Sequence, residues 1–174
     1  RRSSDLTAII LAAGKGTRMK SSLPKVLHEV AGMPMVGHVT QLALDLDCAP
    51  ICVVTGPGME NVAKAACDVG GDLDIAVQRE QLGTAHAVLA AKPVLGQLDG
   101  NVIVLYGDTP LLTKETAREV LAALDADNTV AVAVLGFIPD DAGAYGRLVL
   151  GDDGTLERIV EAKEATDEEL AIEL

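Results

Sequence analysis

The chain has 174 residues, 49% of them hydrophobic and only 2% aromatic, and its formal net charge is −12. That length fits one domain, residues 1–174, able to bury roughly 70% of its unfolded surface, with a core of Val, Ile, Leu and Ala suited to a parallel sheet under helices. The acidic balance excludes nucleic acid and anionic membrane surfaces as partners, because both repel such a protein at long range.

In chain order, Thr7 to Ala13 reads as a buried strand that ends in glycines and cations. Val26 to Val30 reads as a short extended piece turned by Gly32. Pro34 then opens a helix to about Leu46, where its missing N–H costs nothing. Pro50 to Thr55 is a second buried strand, and Glu60 to Val69 a helix with Val62, Ala65, Ala66 and Val69 on one face, stopped by Gly70-Gly71. Asp74 to Gln78 is a third strand, Thr84 to Ala91 a helix broken at Pro93, and Val102 to Tyr106 a fourth strand. Thr113 caps the next helix, with Thr116 where a capping box would have Glu. Thr129 to Leu135 reads as a further strand. Gly146 to Leu150 and Leu156 to Val160 form a hairpin around Gly151-Asp152-Asp153-Gly154, and the acidic tail from Glu161 is partly helical. This alternation predicts a Rossmann-like α/β fold: a mainly parallel sheet, helices on both faces, right-handed crossovers, and a small hairpin near the C-terminal end.

Cys48, Cys52 and Cys67 make no C-x-x-C pair and leave an odd number, which is neither a disulfide framework nor a zinc site. They are expected to be core thiols of a reducing compartment. The apolar run after Arg1-Arg2-Ser3-Ser4-Asp5 is too short for a signal h-region or a membrane span, so the expected location is the cytoplasm.

The chemistry concentrates in Leu11-Ala12-Ala13-Gly14-Lys15-Gly16-Thr17-Arg18-Met19, followed by Leu23-Pro24-Lys25. Ala12, Ala13, Gly14 and Gly16 place little bulk between the main chain and a ligand. Backbone donors with Lys15, Arg18, Lys20 and Lys25 make an anion site. Six of the fourteen Lys and Arg residues fall in the first 25 positions, where Asp5 is the only acid, so an anionic small molecule can bind despite the overall charge. The loop is not a dinucleotide fingerprint: Met19 occupies the third small position, and the second strand ends Thr55-Gly56 without an acid. Nor does any stretch have the spacing of a Walker loop. Asp108 directly follows the fourth strand, at the carboxyl edge where open α/β sheets bind ligands, and a carboxylate facing bound phosphates there suits Mg²⁺. The same residue before Thr109-Pro110 also suits a turn cap, and Lys25 also suits a solvated surface position.

The L-A-A-G-K-G-T-R-M and L-P-K pair resembles the signature of the sugar-1-phosphate nucleotidyltransferases. Gln81-Leu82-Gly83-Thr84-Ala85-His86, Tyr106-Gly107-Asp108-Thr109-Pro110-Leu111, Tyr145-Gly146-Arg147 and Ile159-Val160-Glu161 narrow the resemblance to the uridyltransferase domain of bacterial bifunctional N-acetylglucosamine-1-phosphate uridyltransferases, from about Thr7 to Leu174. The resemblance implies Mg²⁺-dependent transfer of a uridylyl group from UTP to N-acetyl-α-D-glucosamine 1-phosphate, for cell-wall and outer-membrane glycan synthesis. It assigns catalysis to Arg18, Lys25 and Asp108, with Asp108 as metal ligand, Lys25 on the substrate phosphate and Arg18 against the triphosphate. Nucleotide contacts fall to Leu11, Ala12, Ala13, Gly14, Lys25, Gln78, Gly83 and Thr84, and the sugar subsite to Tyr106, Gly107, Gly146 and Glu161. A glutamine amide and exposed main-chain groups match uracil, which presents one N–H between two carbonyls. His86 is read as a helix-face residue, since an ionised phosphate nucleophile needs no base.

Two departures qualify the resemblance. Ala85 stands where many relatives have Gly, and the chain ends before the asparagines that relatives carry at the sugar and second metal positions, so a C-terminally truncated domain is expected. The left-handed β-helix that gives such proteins acetyl transfer and trimerisation is likewise absent. A related transferase, such as one moving a thymidylyl group to glucose 1-phosphate, and a non-catalytic nucleotide-sugar-binding module are the alternatives.

Overall fold

A computed structural model of the chain describes residues 6–14, 16, 19–126 and 129–174. The first apolar run forms strand β1 (Leu6–Leu11), whose interior positions are all buried. A single 3-10 turn at Lys25–Leu27 follows. Strands β2 (Glu29–Val30) and β3 (Met33–Pro34) then pair antiparallel across Ala31-Gly32, both at positive φ, as a two-residue hairpin loop requires. The extended piece expected over Val26 to Val30 is therefore only Glu29–Val30, because Pro24 leads into a turn whose Leu27 N–H donates to the Pro24 carbonyl.

Helix α1 (Met35–Asp45), strand β4 (Ile51–Thr55), helix α2 (Glu60–Gly70), strand β5 (Asp74–Val77), helix α3 (Thr84–Leu95), strand β6 (Asn101–Tyr106) and helix α4 (Lys114–Asp125) continue the alternation. The main sheet has the order β5-β4-β1-β6 with every pair parallel. The chain steps from β1 to β4 to β5 in one direction and returns past β1 to β6. With right-handed crossovers this reversal puts α1 and α2 on one face and α3 on the other. Packing agrees: α1 lies against α2 and β1, while α3 lies against β5, β4 and β1. On the α3 face, Ile9, Cys52, Val54 and Ala76 meet Ala87 and Ala91. Ile10 and Val53, one residue out of phase and fully buried, point to the opposite face.

Two further sequence expectations are corrected. Pro93 does not break α3, which continues to Leu95; proline sits in the last turn, where its missing donor forfeits one bond, and the Gly96 N–H closes on the Lys92 carbonyl. No strand forms over Thr129 to Leu135, since its β-favouring residues find no ladder among the described residues, and Val130, Val132, Val134 and Leu135 are exposed. Thr113 does cap α4, its hydroxyl accepting from the Thr116 N–H at 3.2 Å.

The chain divides into two compact units, one ending at Glu119 and the other running from Val120 to Leu174. In the second, strands β7 (Arg147–Leu150) and β8 (Leu156–Val160) form the expected hairpin, with a register shift at Val149/Leu150. Helix α5 (Asp167–Leu170) opens with a capping box between Thr166 and Glu169. Arg158 pairs with the same Glu169 carboxylate; its hydrogen bond, followed by that of the Thr166 N–H, holds the Glu169 carboxyl below the usual range. Among the described residues no helix is long and apolar enough to cross a membrane.

Cys48 and Cys52 are buried thiols without a disulfide. Burial, reinforced by Asp47, pushes Cys48 from 9.0 up to about 11, and burial with Asp74 does the same to Cys52. The unfolded chain releases these protons near pH 9.0 and the fold near 11, so their contribution to stability is complete below 9 and is lost on rising through 11. Urea midpoints measured across that window are expected to fall more steeply for the parent than for a Cys48→Ala, Cys52→Ala variant. Parallel curves would exclude the thiols as the cause.

Candidate nucleotide site

The reversal of strand order lies between β1 and β6, and the carboxyl ends of these two strands hold the residues singled out from sequence. Leu11 pairs with Tyr106 in register, and the Gly107 N–H donates to the Leu11 carbonyl at 2.9 Å. A Cβ on residue 107 would stand 3.0 Å from that oxygen and 3.3 Å from the Ala12 Cβ, so a side chain there would crowd both strand ends and require them to give by a few tenths of an ångström. Asp108 comes next. Lys25 Nζ donates to its Oδ2 at 2.7 Å. The turn after β6 is closed instead by Thr109, whose N–H and hydroxyl both donate to the Tyr106 carbonyl, which leaves the Asp108 carboxylate to Lys25. Both side chains of the pair remain accessible, at 42% and 34% exposure, so the ion pair adds at most about 1 kcal/mol to stability. Its effect is to hold an ammonium and a carboxylate together at the mouth of the sheet.

Lys25 reaches Asp108 because Gly16 makes room for it. Gly16 is at φ +58, and a Cβ there would stand 2.6 Å from the Lys25 Cβ. Gly14 is different: a Cβ at that position meets nothing within 4 Å. In the loop between them and β1, the Ala12 N–H is taken by the Val54 carbonyl at 2.8 Å. The N–H groups of Ala13 and Gly14 donate to none of the described residues, which leaves them as the open donors of the cradle. The side chains of Ala12 and Ala13 are buried and Leu11 half-buried. Arg18 and Lys15 lie outside the described residues.

Gln78 directly follows β5 and is 4% exposed. Its Nε2 donates to the Gly83 carbonyl at 3.0 Å and lies 3.2 Å from His86 Nδ1. Gly83, at φ +100, and Thr84 start α3, and both are exposed. A contact that sequence reading missed ties this loop to the cradle: Gln81 Nε2 donates to the Ala13 carbonyl at 2.7 Å. Its signal was present, since Gln81 opens the Q-L-G-T-A-H motif, but nothing in the residue type names its partner. Among the described residues no three His, Cys, Asp or Glu side chains cluster as a metal cage. Asp108 supplies a single hard oxygen donor, the protein share that Mg²⁺ takes when phosphates and water complete its octahedron.

In the first unit, Tyr106 is about half-exposed at the end of β6 and Gly107 is buried with its N–H engaged. In the second unit, Gly146 and Glu161 line one cavity of about 190 Å³ with Phe137, Tyr145, Arg147 and Ile159. Phe137 and Tyr145 meet edge to face there, ring centroids 5.1 Å apart. Arg147, unremarked in the sequence beyond its motif, is buried and donates through Nη1 to the Tyr145 carbonyl.

A parallel sheet with a glycine-lined anion loop and a carboxylate at its switch point defines a nucleotide-binding α/β domain. Solved structures share the fold: HddC from Yersinia pseudotuberculosis complexed with GMP-PN (TM-score 0.66, 22% identity, 89% of this chain and 68% of that one) and a putative glucose-1-phosphate thymidylyltransferase from Bacillus anthracis (TM-score 0.67, 23% identity, 90% and 64%). The model of the MobA-like NTP transferase domain matches residues 8–170, and the chain belongs to that family. It is 51% identical over 167 residues to the bifunctional protein GlmU of Paramagnetospirillum magneticum and 52% identical over 167 to that of Rhodospirillum rubrum, covering 96% of this chain in each case. It spans 36% of the length of these relatives.

The two loop glycines give contrasting expectations. Gly16→Ala forces a side chain into left-handed backbone and against Lys25, and is expected to lower stability by about 1–3 kcal/mol. Gly14→Ala is expected to leave the denaturation midpoint within about 0.5 kcal/mol of the parent. Equal midpoints for the two variants in a urea titration would contradict the packing described.

Proposed function

We propose that this chain is a uridyltransferase domain: it transfers a uridylyl group from UTP to N-acetyl-α-D-glucosamine 1-phosphate, releasing pyrophosphate and forming UDP-N-acetylglucosamine. The observation that carries the reading is the Lys25–Asp108 pair at the switch point beside the Ala13–Gly14 donors. The identity of about half to GlmU proteins over 167 residues supports it. The match to residues 8–170 supports treating residues 1–174 as one nucleotidyltransferase domain.

In this reading a phosphate oxygen of the sugar phosphate attacks the α-phosphorus of UTP in line. The new O–P bond forms as the bond from the α-phosphorus to the bridging oxygen breaks, and pyrophosphate leaves with the electron pair. The nucleophile is already ionised, so no general base is needed. Ala13 and Gly14 N–H groups receive triphosphate oxygens, Leu11 and Ala12 set the loop's height, and Arg18 adds a cation against the chain of phosphates. Lys25 meets the charge that develops on the transferring phosphoryl group. Gln78, Gly83 and Thr84 receive the base. The resemblance assigns Tyr106 and Gly107 of the first unit to the sugar, and likewise Gly146 and Glu161 of the second, Glu161 as an acceptor for its hydroxyls. The Asp108 carboxylate would hold a Mg²⁺, which would supply charge neutralisation on the phosphates. Catalysis is thus positioning and charge neutralisation, with no covalent enzyme intermediate. The product class feeds bacterial cell-wall and outer-membrane glycan assembly in the cytoplasm.

The test is Mg²⁺-dependent pyrophosphate release from UTP with N-acetylglucosamine 1-phosphate, run on this chain and on a longer one that extends it. Lys25→Ala is expected to cut turnover by roughly 10²–10³, the range for losing a donor to a developing anion. Asp108→Ala is expected to abolish the Mg²⁺ response while leaving the melting midpoint nearly unchanged, as befits an exposed pair. Undiminished turnover in the Asp108 variant of the longer chain would remove that carboxylate from the mechanism. Equal rates with glucose 1-phosphate and dTTP would redirect the assignment to a thymidylyltransferase.

A further inference from the structure

His86 was read from sequence as a helix-face residue, yet the structure turns its ring onto a buried polar group. The Gln78 amide nitrogen lies 3.0 Å from the Gly83 carbonyl oxygen. A carbonyl only accepts, so the amide must present its nitrogen to residue 83, and the reversed orientation would set two acceptors against each other. The same nitrogen lies 3.2 Å from His86 Nδ1. Both amide protons are then engaged, one with each partner, which requires Nδ1 to be unprotonated and the ring proton to sit on Nε2. Gln78 Oε1 makes no hydrogen bond to a described residue, so this buried amide offers a ligand an acceptor and nothing else.

We infer that His86 is a positioning residue for base selection: it locks the Gln78 amide with its oxygen as the free group, so that the site takes a pyrimidine presenting a ring N–H. Uracil and thymine carry that proton at N3. Cytosine presents a bare acceptor at N3 and would set a lone pair against Oε1, a mismatch that a built polar site penalises strongly. Without the Nδ1 acceptor, one amide proton loses its partner and the amide can pivot about its remaining bond to Gly83, so Oε1 is no longer held where the base N–H meets it. This rests on the assignment of Gln78 to the base, given above. The Gly83 carbonyl alone opposes the flipped amide but leaves it free to pivot about that single bond; the second bond, to His86, fixes where Oε1 points.

Two measurements test the inference. Titration calorimetry of this chain with UTP and with CTP gives the ratio of their dissociation constants. The parent is expected to favour UTP, His86→Asn to keep that preference because Oδ1 can accept where Nδ1 did, and His86→Leu to lose about tenfold of it. A parental ratio in His86→Leu overturns the inference and leaves the Gln78 assignment standing. Equal loss in both variants marks a merely structural role and also overturns it. A parent that binds both nucleotides equally removes the Gln78 assignment itself. Independently of any variant's folding, ¹⁵N resonances of the His86 ring in the parent are expected to show a protonated Nε2 and a bare Nδ1; the opposite tautomer overturns the inference.

Discussion

The hydrogen bond from the Gly107 N–H to the Leu11 carbonyl fixes the distance between two loops that have almost a hundred residues between them in sequence. Strands β1 and β6 are adjacent because the chain reverses its direction of travel across the sheet after β5. Their ends therefore splay into separate loops at one place, and everything proposed to handle phosphate hangs from those ends. Glycine at 107 eases the approach, since a side chain there would press on the Leu11 oxygen. The Lys25–Asp108 contact is the chemical outcome of that constraint rather than its cause: as an accessible ion pair it contributes little to holding the fold.

The parallel sheet was legible because β1 and β4 are apolar runs buried on both faces, and such runs have few alternatives. Asp108 was legible for a related reason: a carboxylate at the end of an apolar strand has one sheet edge to occupy. The 129–135 segment misled because β-branched residues describe a preference for extended backbone, while a strand also needs a neighbour to pair with. Pro93 misled because proline costs a helix one hydrogen bond and some crowding without having to end it, and here the helix runs two residues further, to Leu95.

In the site, residue types announced charge and small size but not partners. The open space over Gly14 agrees with the reading of a bare cradle, whereas Gly16 is there to let a lysine stem pass, a requirement that appears only when residues 16 and 25 are seen side by side. Ala12 was grouped with the donors of the loop, yet its N–H belongs to the sheet. Gln81 and His86 were legible as members of a motif and illegible as a brace and an amide lock, because hydrogen bonds across 68 residues, or from one secondary element to the next, leave no periodic trace. In the second unit the resemblance located Gly146 and Glu161, and the structure adds that they face one cavity walled by two of the chain's few aromatic rings.

The bond from Gln81 to the Ala13 carbonyl makes the segment after β5 and the loop after β1 two jaws of one clamp. Whatever stiffens one jaw stiffens the other, so the entropy of ordering them is lost once and not twice. A molecule that engages both ends therefore gains more than the sum of its halves, and one that presents only a phosphate tail or only a ring leaves part of that advantage unused.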